Sequence, residues 1–200
     1  METSQRLIGL TGGIATGKTT VANYLGEKYD LPILDADIYA REAVATGKPI
    51  FQEIIQRYGD RVLLEDGSLH RQHLGEIVFG NAQERKWLES QIHPYVRDRV
   101  LSSLNSLTSH TVVLVIPLLF EVKMTDLVTE IWVVTCNEDQ QLQRLIERNN
   151  LSIEQAQSRI SSQMPLSQKV AVADVVLDNS LTVESLLQQV DAAIHEISKK

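Results

Sequence analysis

Gly12-Gly13-Ile14-Ala15-Thr16-Gly17-Lys18-Thr19 follows a short apolar run, residues 6–11 (RLIGLT), and precedes a segment where Val21, Tyr24, Leu25, Lys28 and Tyr29 recur at helical spacing. The eight residues match G-x-x-x-x-G-K-[ST] in full, in the strand–loop–helix setting that gives the pattern its meaning. Glycines let backbone N–H groups turn inward around phosphate oxygens, where a Cβ would collide. Lys18 is placed to reach the β- and γ-phosphates, and the Thr19 hydroxyl to ligate Mg²⁺. The helix opening at Lys18 brings its positive dipole end to the same point. With Thr20 completing the turn, residues 12–20 form a candidate nucleotide cradle.

A second apolar run, residues 31–36 (LPILDA), ends in acid, so the chain opens as a βαβ unit and predicts a parallel sheet. Further strands are expected at 111–116 (TVVLVI), 130–136 (EIWVVTC) and 174–177 (DVVL). Between 37 and about 107 the patterns are helical: 37–46, 50–58, 70–79, 84–92 and 94–107. Pro94 is expected to separate the last two, because proline suits a first helical turn and not an interior. Residues 117–121 (PLLFE) read as a loop or helix start. One later helix carries Leu142, Leu145, Ile146 and Asn149 on a face. The next opens with the capping-box pattern Ser152…Gln155 and stops near Pro165. The terminal helix shows Val183, Leu186, Leu187, Val190, Ile194 and Ile197 along one face. The expected architecture is α/β: a P-loop NTPase-type parallel β-sheet of about five strands flanked by helices, with a helical insertion and a helical lid.

Composition narrows the class. The 200 residues suffice for one ordinary domain with a sizeable core, and the formal charge of −7 disfavours nucleic acid as the main partner. Cys136 is the only cysteine, so an intrachain disulfide and a zinc–thiolate cluster are excluded; it sits in an apolar strand and reads as a small buried hydrophobe. The N-terminus lacks the apolar stretch of a signal peptide, and no run approaches a bilayer span. A cytoplasmic protein is expected.

A triphosphate site suits a kinase, a GTPase switch or a motor. No Asp has a Gly three residues on and no Asn precedes a Lys, so the GTPase switch and guanine-reading patterns are both missing. A kinase of a small molecule is the favoured class. Asp35 and Asp37 end the second strand, beside the loop-bearing strand of the unit, and ligands in parallel sheets bind beyond the carboxyl ends of the strands. One carboxylate suits the metal (Asp35) and the other the proton of an attacking hydroxyl (Asp37). Arg41, four residues after Asp37, is either its ion-pair partner or an anion clamp. Arg144 and Arg148 share a helix face and Arg159 lies on the next helix; they are either a solvated face or a set of cations closing on phosphate. His93, at the expected break, is either a buried hydrogen-bonded group or a site residue.

Seven spaced pieces together resemble the dephospho-CoA kinase family: LTGGIATGKTTVAN (10–23), DADIYAR (35–41), IHPYVR (92–97), VIPLLFE (115–121), QLQRLIER (141–148), RISSQ (159–163) and DNS (178–180). They run in the family's order over nearly the whole chain. The resemblance implies transfer of the γ-phosphoryl of ATP, with Mg²⁺, to the 3′-hydroxyl of the ribose of dephospho-CoA. It implies a core (1–36, 110–137, 169–200), a CoA-binding helical insertion (37–109) and a lid (138–168). Asp37 would be the base, and Arg41, His93, Leu118 and Leu119 would lie on the acceptor side. Arg144, Arg148 and Arg159 would belong to the lid, with Arg159 reaching substrate, and Asn179 to the adenine side. A monomer or weak homo-oligomer acting on a small molecule is expected. Three features depart from the usual pattern: the loop carries Ala15 and Thr16, Leu181 stands where glycine often follows DNS, and no Asp ends the 111–116 strand, so a typical Walker B is missing and Asp35 is its substitute. The rival readings are another small-molecule P-loop kinase and a nucleotide-binding regulatory module without an acceptor.

Overall fold

A computed structural model describes residues 5–196. Ile197, expected on the last helix, lies outside them. Five strands form one sheet in the order β2-β3-β1-β4-β5, every pairing parallel: β1 Arg6–Gly12, β2 Ile33–Asp35, β3 Thr111–Val115, β4 Glu130–Thr135 and β5 Val175–Asp178. The central strands are buried on both faces, which is why they read as unbroken apolar runs and not as alternating ones. On one face Ile8, Leu10, Val113, Val115, Trp132, Val134 and Leu177 meet Val21 and Leu25 of α1 (Lys18–Tyr29) and Leu186, Val190 and Ile194 of α9 (Val183–Glu196).

The chain divides into two compact units. One is Ala36–Leu107; the other comprises the flanking segments, ending at Asp35 and resuming at Thr108. The first is wholly helical apart from turns and an isolated bridge between Leu63 and Leu69: α2 Ala36–Ala43, α3 Pro49–Tyr58, α4 Arg71–Gly80 and α5 Ala82–Ser106, with a 3₁₀ turn at Asp60–Val62. Its own core gathers Val44, Phe51, Ile54, Tyr58, Val62, Leu69 and Leu74. The sheet unit adds α6 Glu138–Asn149, α7 Ile153–Ser161 and α8 Leu166–Ala171.

Several expectations are corrected. Pro94 does not break a helix, since α5 runs through it. Interior proline costs about 3 kcal/mol, but Trp87, Leu88 and Ile92 pack before it and Val96 and Val100 are buried after it, so burial on both sides carries the helix across. Of the two alternatives for residues 117–121 the loop is found, as turns that continue to 123. Asn149 is exposed, and the inward face of α6 is Gln141, Leu142, Leu145 and Ile146. The short α8 was not expected. β2 does not neighbour β1, because β3 inserts between them with Val115 opposite both Leu10 and Asp35. Ser152 and Gln155 do form the full capping box on α7.

Within the helical unit, Glu84 at the start of α5 accepts from Arg57 Nε (2.6 Å), Arg57 Nη2 (3.0 Å) and Tyr58 Oη (2.6 Å). Hydrogen bonds from Arg57 and then Tyr58 hold its carboxyl down at about 2. A depressed carboxyl stabilises the fold above its unfolded value of about 4.5, and that stabilisation disappears as pH falls toward 2. Glu84→Gln is therefore expected to lower the melting temperature at pH 7, with the gap to the parent closing between pH 4.5 and 2. A gap independent of pH would show that the charge is not the cause.

Candidate active site

β1 delivers the loop and α1 receives it. Gly17 caps α1 at φ +108°, with no side chain bonding the first helical turn, which leaves the helix N-terminus to an incoming anion. A Cβ on Gly17 would land on Asn179 Nδ2. Gly17→Ala therefore combines left-handed strain, about 1–3 kcal/mol, with a steric collision. It is expected to weaken ATP binding at least tenfold by calorimetry, and an unchanged Kd would contradict this geometry.

Lys18 folds back over the loop, its Nζ 2.6 Å from the Gly13 carbonyl and 3.3 Å from that of Gly12. Thr16 is fully buried and donates to the Gly13 carbonyl at 2.9 Å, so its side chain builds the loop and does not face a ligand. Thr19 and Thr20 are exposed, and Ile14 and Ala15 half-buried. Asn179, 7% exposed, donates from Nδ2 to the Thr16 carbonyl (2.8 Å), while its backbone N–H meets the Thr135 carbonyl (2.8 Å). The loop after β5 is thereby tied to the cradle.

The two α6 arginines part company. Arg144 donates to the Asn179 carbonyl at 3.2 Å, and its Nη1 is buried with no hydrogen-bond partner. Arg148 is exposed and donates to Asn149 Oδ1 at 3.0 Å. Arg159 is half-buried on α7. Beside Arg144 lies Cys136, 6% exposed, whose thiol is pushed up chiefly by burial, with Arg144 partly opposing the shift. A thiol raised in this way is no nucleophile.

Asp35 closes β2, half-buried. In register through Val115 it lies two strands from Leu10, about 10 Å at the usual spacing. Among the described residues no three His, Cys, Asp or Glu side chains gather as a metal site. One hydroxyl, Thr19, and one carboxylate, Asp35, fit Mg²⁺, which takes most of its ligands from phosphate and water.

In the helical unit, Asp37 opens α2 and is exposed, as is Arg41 one turn on. Both line a cleft of about 280 Å³ with Arg71, Leu69, Leu74 and Ile92, and Arg71 donates to the Arg41 carbonyl at 3.1 Å. The lining is thus part charged and part apolar. His93, mid-α5 and half-buried, has its imidazole shifted down by burial, against an opposing pull from Glu89. Leu119 is 0% exposed and presents no surface, whereas Leu118 is half-buried.

The sequence reading missed four residues. Gln163 Oε1 accepts the Ile14 N–H (2.8 Å), and Gln141 Nε2 donates to the Ile14 carbonyl (2.9 Å). Lys169, completely buried on α8, pairs with Glu121 Oε1 (2.9 Å) and donates to the Pro117 carbonyl (3.1 Å). The same Glu121 oxygen accepts the Met164 N–H at 2.9 Å. Both glutamines stand at the ends of motif strings, yet an uncharged side chain bonded to main chain carries no local signal.

The sequence model of the dephospho-CoA kinase family matches residues 6–185. A dephospho-CoA kinase from Trichormus variabilis is 66% identical over 192 residues, 96% of this chain and 98% of that protein. Among solved structures, a Thermus thermophilus protein superposes with a TM-score of 0.81 at 31% identity, over 97% of this chain and 98% of the other. The dephospho-CoA kinase from Campylobacter jejuni gives 0.71 at 27%, over 96% and 97%. The motifs, the sheet order and these matches agree: the chain belongs to the dephospho-CoA kinase family.

Proposed function

We propose that the protein transfers the γ-phosphoryl group of ATP to the 3′-hydroxyl of the ribose of dephospho-CoA, giving CoA and ADP, the last step of CoA biosynthesis. The observation that carries this reading is the complete cradle, with Gly17 fitted against Asn179 and Lys18 folded over the loop, in a chain matched by the family over 6–185.

In this reading the loop of residues 12–20 and Lys18 hold the phosphates. Thr19 and Asp35 would hold Mg²⁺, which would supply positive charge against that developing on the phosphates. The Asp37 carboxylate accepts the proton of the 3′-hydroxyl as that oxygen bonds to the γ-phosphorus; the bond to the bridging oxygen breaks, and its electrons leave with ADP. Arg144 places a cation on the transferring group, with Arg148 and Arg159 closing from the lid, 138–168. Asn179 shapes the adenine side. Arg41, His93 and Leu118 receive the acceptor, whereas Leu119 has no exposed surface with which to line the same pocket.

Among the described residues no helix is long and apolar enough to cross a membrane. We place the enzyme in the cytoplasm, acting on small molecules and not on nucleic acid, as a monomer or weak homo-oligomer. The test is MgATP-dependent ADP release with dephospho-CoA, adenosine, a pyrimidine nucleoside or no acceptor. Release with dephospho-CoA alone is the expected result. Release with another acceptor would change the substrate, and ATP binding without acceptor-dependent release would favour a regulatory module.

A further inference from the structure

Ile14 stands at the tip of the phosphate loop, and both of its polar backbone groups are taken by side chains from far along the chain. Gln163 accepts its N–H at 2.8 Å and Gln141 donates to its carbonyl at 2.9 Å. Gln141 is only 4% exposed and sits so close to the loop that a Cβ on Gly13 would stand 2.5 Å from its Nε2. Gln163 is anchored in turn, because the next residue, Met164, donates its N–H to Glu121, which pairs with the buried Lys169. The next loop residue is the unusual one. Ala15 has φ +60°, a left-handed conformation that an L-residue with a Cβ resists. The Ile14 carbonyl belongs to the peptide plane joining Ile14 to Ala15, and Ala15 φ is the rotation about the bond leaving that plane. The Thr16 N–H, on the Gly13 carbonyl at 3.4 Å, holds the plane beyond Ala15, so fixing the Ile14–Ala15 plane as well holds the loop where it would otherwise relax.

We propose that Gln141 and Gln163 are positioning residues that keep Ala15 left-handed, so that the phosphate cradle is formed before nucleotide arrives. Preorganised donors cost no rearrangement when the anion binds. The inference rests on reading the loop as a nucleotide cradle, and is independent of which acceptor is phosphorylated.

The test uses the full chain carrying Gln141→Ala or Gln163→Ala, each made with and without Ala15→Gly. Each single glutamine variant is expected to raise the Kd for ATP about tenfold, the scale of left-handed strain on one residue. Measured against an Ala15→Gly parent, the same replacement is expected to raise Kd less than about threefold, since glycine adopts positive φ freely. An equal rise in both backgrounds would overturn the proposal, as would no rise in either. A purely structural role would lower the melting temperature without this dependence on residue 15. Should Gln141→Ala fail to fold, the half-buried Gln163 carries the test alone. Exchange of the Ile14 amide, read without nucleotide, separates the bracket from the function: Gln163→Ala should speed it at least about tenfold. Unchanged exchange would overturn the bracket, whereas failure of the parent to bind ATP would overturn the cradle reading instead.

Discussion

Asp37→Asn is expected to lower kcat by about 10²–10⁴-fold, the usual contribution of a general base, while the Kd for ATP stays within about twofold of the parent. Asparagine keeps the shape of the side chain but cannot take the hydroxyl proton. Asp37 is exposed in the first turn of α2, and asparagine matches its size, so circular dichroism should remain that of the parent. Single-turnover rates and calorimetric ATP binding on one preparation provide the comparison. A loss confined to the KM for dephospho-CoA would make Asp37 a ligand of the acceptor and move the base elsewhere.

Lys18→Ala is expected to lower kcat/KM for ATP by about 10²–10³-fold or more, the cost of removing one preorganised charge stabiliser at a transferring group. The Lys18 ammonium lies against two loop carbonyls, Gly12 and Gly13, and a phosphate oxygen forms a stronger, charge-assisted bond with an ammonium than a neutral carbonyl does. Circular dichroism should remain that of the parent, because the loop is also held by Thr16, Asn179 and Ile14 contacts that do not involve the ammonium. Near-parental kcat/KM would contradict the assignment of the cradle.

The parts of this molecule that were legible in the sequence are those whose signal is local. Residues 6–19 encode strand, loop and helix within fourteen positions, and a buried parallel strand announces itself as an apolar run whatever its neighbours are. Sheet order is not local: nothing in residues 31–36 says that β3 will lie between β2 and β1. Pro94 misled for the opposite reason, since a strong local signal was outweighed by packing on both sides of it.

The site divides in the same way. Lys18, Asn179 and Arg144 meet around the loop, and their motifs pointed to them. Gln141 and Gln163 reach Ile14 across 127 and 149 positions and touch only main chain. Lys169 looks like an ordinary charged position in a short amphipathic stretch, and only the fold reveals that it is fully buried against Glu121. Ala15 was legible as a departure from the family's loop; its left-handed backbone, and the side chains that hold it there, were not.

The most direct measurement is transfer of label from γ-³²P-ATP, with Mg²⁺ and purified protein, into dephospho-CoA, the product being separated and compared with authentic CoA. The account predicts label in CoA that is lost with Asp37→Asn and with omission of dephospho-CoA. Label released only as inorganic phosphate, or carried by another acceptor while dephospho-CoA stays unmodified, would contradict it.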